Sequence, residues 1–258
     1  MQIEHNYIVI AEPQRVEDLA RRLSEGEVPY TFLLKGTMYA GCQTQGPYLF
    51  PANKVPEALL DKICQSRGGI ILDTPLRLSE LQALLRQQIY AENPQCGRSY
   101  IRFYAPHIAR ALMEQKSFCF PSVRAVHIPD YLSQSWEIHT LPEVQISPSW
   151  CLTSDLCQRI RVHHYAYWLG TLSTWPLPGD SILSAAELLY QWTCEDKSLT
   201  QITLARCAHW LAEYYQYLPN EEFRLCFQGT ESINQKKQIA MQWIKQYRVQ
   251  QQEPSYAI

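Results

Sequence analysis

The sequence predicts an N-terminal lobe over residues 1–147 with a mixed sheet, α+β or α/β in class, followed by an all-α lobe over residues 148–258. Three observations carry this expectation. Before residue 141, short β-branched and aromatic runs alternate with amphipathic stretches of helical spacing. Residues 141–154 hold two prolines and three serines, the composition of a linker. Beyond them the apolar residues recur at helical spacing throughout. A chain of 258 residues, 46% hydrophobic and 19% charged, is long enough to bury a core in each lobe.

Within the first lobe, residues 7–10 form the first strand candidate. Residues 13–24 read as a helix with Val16, Leu19, Ala20 and Leu23 on one face. Residues 29–34 are the next strand, and Gly36, Gly41 and Gly46-Pro47 punctuate the loop beyond it. Residues 56–64 read as a helix with Leu59, Leu60 and Ile63 inward, and residues 69–72 as a strand. A helix then runs to about Ile89, begun either at Thr74-Pro75 or by the capping-box pattern Ser79-x-x-Gln82. Residues 99–104 suit a buried strand, interrupted by Arg102, which needs a partner or a route to water. Pro106 fits the first position of the helix that follows, with Ile108, Ala111 and Leu112 in one stripe. Residues 124–128 and 136–140 complete the strands.

In the second lobe, residues 155–169 form a helix apolar on most sides, and residues 180–194 one with Ile182, Ala185, Leu189 and Trp192 in line. Ser198-x-x-Gln201 is expected to cap a third, with the stripe Leu204, Cys207, Ala208, Leu211, Tyr215 and Leu218. Asn220 caps a short fourth, closed by Gly229. Thr230 starts the last, with Ile233, Ala240, Trp243 and Tyr247 on one face, and the tail from Gln250 is polar.

Net charge is −2, and neither lobe is basic, which argues against nucleic acid as the main partner. The nine cysteines include no CxxC, and they read as reduced, mostly buried thiols of a cytoplasmic protein. The first residues lack a basic stretch followed by an apolar run, so no signal peptide is expected, and no apolar stretch is long enough to span a membrane. Nucleotide-binding glycine motifs, GxSxG, HExxH and EF-hand loops are all missing, so no cofactor and no catalytic residue is expected. Metal ligation by His163, His164 and His209 is not expected either, because adjacent helical histidines point about 100° apart. Six of the seven tryptophans lie at or after Trp150. Tyr and Trp are favoured at protein-binding hot spots, and so many rings exceed what a small helical lobe can bury. The candidate partner-binding residues are Tyr165, Trp168, Trp175, Trp210, Tyr214 and Tyr217.

The run RFYAPHIARALM at residues 102–113 resembles the RFYDPR signature of a family of bacterial type VI secretion adaptors, the Tap or Tec proteins of domain-of-unknown-function family 4123. Three further pieces agree in order. YTFLLKG at residues 30–36 is similar to the family's YALLDG strand, and GPYL at residues 46–49 to its GPLL turn. GIILDTP at residues 69–75, followed by Leu78, Leu81, Leu84, Leu85 and Arg86, is similar to its glycine-led strand and LxxLxxHLR helix. The sequence departs from the signature at Ala105, where the family has Asp, and at His107, where it has Arg. An N-cap Asp is worth about 1 kcal/mol, so the fold and general role carry over but the acid's role does not. The resemblance implies a structural part for Gly46, Pro47, Arg102, Phe103, Tyr104 and Pro106. It implies a cytoplasmic adaptor or chaperone that binds an N-terminal or helical segment of an effector protein and loads it onto a VgrG or PAAR spike. The alternatives are a small hydrolase with a non-standard site, or an effector or immunity protein of the same locus.

Overall fold

A computed structural model of the chain describes residues 6–39, 41, 46–132, 134–145, 149–172 and 179–252. Its elements in the first part are β1 (Asn6–Ala11), α1 (Leu19–Glu25), β2 (Thr31–Phe32), β3 (Tyr48–Pro51), α2 (Glu57–Gln65), β4 (Gly69–Thr74), α3 (Leu78–Gln87), β5 (Tyr90–Asn93), β6 (Gly97–Tyr100), α4 (Pro106–Glu114), β7 (Ala125–Pro129), β8 (Trp136–Thr140) and β9 (Trp150–Cys151). Helices follow: α5 (Ser154–Leu169), α6 (Gly179–Glu195), α7 (Gln201–Glu213), α8 (Glu221–Leu225) and α9 (Ile233–Gln252). This is the expected succession of an α+β part and an all-α part.

Six strands form one antiparallel sheet in the order β2-β3-β1-β4-β7-β8. A second sheet, β6-β5-β9, holds the parallel pairing, between β5 and β9. Side chains alternate across a strand, so each face of the large sheet collects its own core. Ile8 and Ile10 of β1, with Ile70, Leu72, Val126 and Ile128, pack with Leu81 and Leu85 of α3 and Ala109 and Leu112 of α4. Val9 and Ala11, with Phe50 and Ile71, pack with Leu19 and Leu23 of α1 and Leu59 and Ile63 of α2.

Several elements differ from expectation for local reasons. The expected strand over residues 99–104 ends at Tyr100. The Ala105 N–H bonds back to the Arg102 carbonyl at 2.7 Å, and the turn sends the consecutive side chains Phe103 and Tyr104 into one core. Helix α1 begins six residues later than expected because Asp18 takes a left-handed φ of 58°, which cannot continue a helix. Neither expected start of α3 holds: the Glu80 side chain reaches back to the Arg77 N–H at 2.9 Å. In α7 the cap is Thr200, whose hydroxyl accepts from the Thr203 N–H, while Ser198 bonds to Asp196. Ser232, not Thr230, opens α9 in a reciprocal pair with Gln235. Asn220 caps α8 as expected. Strands β3, β5 and β9 lie where no strand is expected. Cys96, Cys151, Cys157 and Cys194 are exposed, against the expectation of mostly buried thiols; Cys64, Cys119 and Cys207 are buried, and Cys42 lies outside the described residues.

The chain separates into two compact units at His163 and His164, inside α5, and not at the expected 147/148. Trp150 and Leu156 explain the shift, because both are buried in the core shared with α3 and α4. The second unit, described by itself, buries Ile182, Ala185, Leu189 and Trp192 of α6, Cys207, Ala208 and Leu211 of α7, Phe223 of α8 and Ala240 and Ile244 of α9. Its short connections bring successive helices together, α6 with α7 and α8 with α9.

Candidate functional site

The motif residues of the first unit converge on the ends of its two sheets. Glu12 leaves β1, and its backbone N–H is held by the Gly68 carbonyl at 2.7 Å. Its buried carboxylate accepts from Arg102 and pairs with Arg15 at 2.9 Å. Arg102 therefore has both an acidic partner and a route to water, its side chain being 43% exposed. Burial works against its charge, but the Glu12 hydrogen bond prevails and holds its pKa above the ordinary value. Beside it the Tyr100 and Tyr104 hydroxyls bond to each other, and burial pushes both phenols up. Phe103 packs against Tyr104, Phe118, Phe120 and Trp150, with ring centroids 5.4–6.5 Å apart. Pro106 occupies the first turn of α4, and Ala105 at the N-cap supplies no side-chain bond. His107 is half-buried.

The other motif pieces lock together nearby. Gly46 and Pro47 are buried, and the Pro47 carbonyl accepts from the Leu33 N–H at 3.1 Å. Gln82 of α3 donates to the Phe32 carbonyl at 2.6 Å, and Arg86 to the Leu33 carbonyl at 3.3 Å. These residues tie strands to helices and so act as fold determinants.

A second polar network lies behind α4. Arg110 donates to Pro129 O at 3.0 Å and to Glu137 at 2.8 Å, with its guanidinium 4.4 Å over the Tyr131 ring. His163 meets Tyr131 Oη through Nδ1 at 2.8 Å and Glu114 through Nε2 at 3.0 Å. Acid, imidazole and hydroxyl thus stand in a row; the His163 imidazole is only 2% exposed, while the Glu114 carboxylate at the end of the row keeps 38% of its surface. His164 and His209 are exposed, and no cluster of three or more metal-ligating side chains occurs among the described residues. Burial pushes the Cys64 thiol up to about 12, away from the reactive thiolate.

The His139 imidazole, 3.5 Å away, opposed by burial and aided by Arg110, holds Glu137 at a pKa of about 2 against an ordinary 4.5. His163 lowers Glu114 in the same way, with Arg159 and Arg110 adding to it. A depressed carboxylate stabilises the fold above its unfolded pKa and loses that contribution as pH falls toward its folded value. Stability of the first unit is therefore expected to drop between about pH 4.5 and about pH 2. In thermal melts, the gap between wild type and Glu137→Gln should narrow on going from about pH 6 to about pH 3. A constant gap would contradict the assignment.

In the second unit the candidate rings fall into two groups. Tyr165 and Trp168 meet edge to face at 6.3 Å, both half-buried, and the Tyr165 hydroxyl bonds to Thr193. Trp210 packs on Tyr214 at 4.9 Å and on Phe223 and Phe227. Tyr217 is 7% exposed, accepts a bond from Arg248 and packs against Phe223, Trp243 and Tyr247. Trp175 lies outside the described residues.

Among the described residues, the large apolar side chains that reach the surface in this unit are aliphatic: Ile202, Leu225, Ile239 and Val249. Sequence reasoning missed them, although Ile202 lies off the apolar stripe of its helix and was detectable by phase. A cavity of about 700 Å³ opens here, lined among others by Glu195, Leu199, Thr203, Arg206, Cys207 and Lys237. A smaller one of about 220 Å³ is lined by Leu188, Gln191, Arg224 and Leu225 among others. Their mixed charged and apolar linings suit side chains of a polypeptide as well as they suit small polar molecules.

Residues 7–117 match the family model described as Domain of unknown function (DUF4123). The match runs from β1 to just beyond α4, so it takes in all four motif pieces and none of the helical unit. No curated protein and no solved structure matches the chain. No helix among the described residues is long and apolar enough to cross a membrane.

Proposed function

We propose that this protein is a cytoplasmic adaptor of a bacterial type VI secretion system, which binds an effector and loads it onto a VgrG or PAAR-tipped spike. The observation that carries this reading is the family match over residues 7–117, the segment whose motifs resemble those of the adaptors. In this reading the first unit is a rigid platform, held by the Glu12–Arg102 pair and the buried Phe103 and Tyr104. The helical unit supplies the effector contact through Tyr165 and Trp168 and the exposed aliphatic side chains of α7, α8 and α9. An apolar or helical effector segment laid on such a surface is shielded from aggregation until delivery.

Co-expression with the effector of the same secretion locus is expected to give a soluble complex on gel filtration. An effector that stays soluble and elutes alone would sink the proposal. The double variant Tyr165→Ala, Trp168→Ala is expected to bind about tenfold more weakly, or worse, with its circular dichroism unchanged. Unaltered affinity would place the contact elsewhere.

A further inference from the structure

β8 ends the six-stranded sheet, and its outer side pairs with no strand among the described residues. Its ladder with β7 is bracketed by two hydrogen bonds, Leu141 N–H to Arg124 O at 2.7 Å and Asp130 N–H to Ser135 O at 2.9 Å. Antiparallel ladders alternate, so His139 and Glu137 bond inward while Trp136, Ile138 and Thr140 turn their N–H and C=O groups outward. The edge carries no proline and no lysine, the usual protections of a free strand, and Ile138 on it is 67% exposed. At the opposite edge β2 has only two residues.

We propose that two copies of this chain pair through β8, antiparallel about a two-fold axis at Ile138, so that their six-stranded sheets become continuous. The sequence of the strand, WEIHT, is complementary to itself in this register. Ile138 faces Ile138, Trp136 faces Thr140, and each Glu137 faces the other copy's His139. The outward-turned residues oppose one another, which forms about six new backbone hydrogen bonds. On one face a carboxylate meets an imidazole twice; on the other, two isoleucines meet between tryptophans. Glu137 is already held near the strand by Arg110 at 2.8 Å, with its own chain's His139 at 3.5 Å. Registers shifted by two residues place Glu137 against Glu137 or His139 against His139, so charge selects the centred one. A two-fold axis closes the assembly at two chains and leaves no β8 edge free.

Strand pairing of this length is a small contact, so the dimer is expected at about micromolar affinity or weaker. Sedimentation velocity of the full chain over rising concentration should show mass growing from one chain toward two. Ile138→Lys, which opposes two ammonium groups at the axis, should weaken the dimer about tenfold or more while circular dichroism stays unchanged. Under a mild thiol oxidant, Ile138→Cys should cross-link two chains above the wild-type background, since its Cα atoms would stand about 5.5 Å apart. Thr140→Cys should not exceed that background, because its opposite residue is Trp136. A chain that stays monomeric at every concentration overturns the proposal. So does a Thr140→Cys variant that cross-links as readily as Ile138→Cys, and this comparison decides the matter even if the lysine variant fails to fold.

Discussion

Replacing Glu195 with alanine is expected to destabilise the helical unit by about 3 kcal/mol, at the lower end of the ~3–5 kcal/mol range for stranding a buried charge. Lys236 is fully buried in α9, and its ammonium meets the Glu195 carboxylate of α6 at 2.5 Å. Gln191, one turn earlier on α6, donates to the other carboxylate oxygen at 2.8 Å and fixes the acid's position. Without Glu195 the ammonium has no anion to offset the loss of water around it. The Glu195 side chain keeps 36% of its surface, so water can enter partway, and this places the loss at the low end. Lys236→Met is expected to melt within about 1 kcal/mol of wild type, because an apolar chain of similar length removes the charge and keeps the packing. The informative variant combines the two. If Glu195→Ala is harmful only because it strands Lys236, then Lys236→Met should restore most of the lost stability in urea titrations. A double variant that unfolds as early as Glu195→Ala alone would mean that Glu195 acts through some other contact.

Lys236 also marks where the sequence ceased to be legible. The stripe Ile233, Ala240, Trp243, Tyr247 predicts α9, yet the position that completes its buried face holds a lysine. Apolar periodicity cannot register a buried cation, because the partner that makes burial tolerable stands 41 residues away on another helix. Arg102 was legible in part for the same reason: its need for a partner follows from charge, but Glu12, 90 residues distant, does not. Helices with unbroken stripes were read well, including α2, α5 and α6, because local spacing is all they need. β3, β5 and β9 were missed because strands of two to four residues are defined by their neighbours in the sheet and carry too few side chains for a pattern. The caps of α3, α7 and α9 fell two or three residues from the expected positions, each using a different nearby polar group to satisfy the same free N–H donors. Of the described candidate binding rings, Tyr217 lies deepest, since the α9 rings Trp243 and Tyr247 cover it, and no local pattern foretells that.

The second large effect is expected at Gly69, the residue that opens β4 opposite Ala11 of β1. A Cβ built there would stand 1.9 Å from the Ile10 carbonyl oxygen and 2.9 Å from the Ala11 Cα. Both are backbone atoms of the strand paired with β4, so no rotamer change relieves the contact. The strands must separate, and β1 and β4 are the two central strands on which both faces of the sheet are built. Gly69→Ala is therefore expected to exceed the ~1–3 kcal/mol usual for an overpacked methyl group. It should leave the first unit largely unfolded at physiological temperature, with the β1 amides losing their protection from hydrogen exchange. Gly97, whose φ is 84° and whose Cβ would meet nothing within 4 Å, offers the control. Gly97→Ala should cost only the strain of a left-handed alanine, about 1–2 kcal/mol. If the two variants lose stability equally, crowding between β1 and β4 is not what requires glycine at position 69, and the glycine that heads this motif would owe its place to something other than close strand approach.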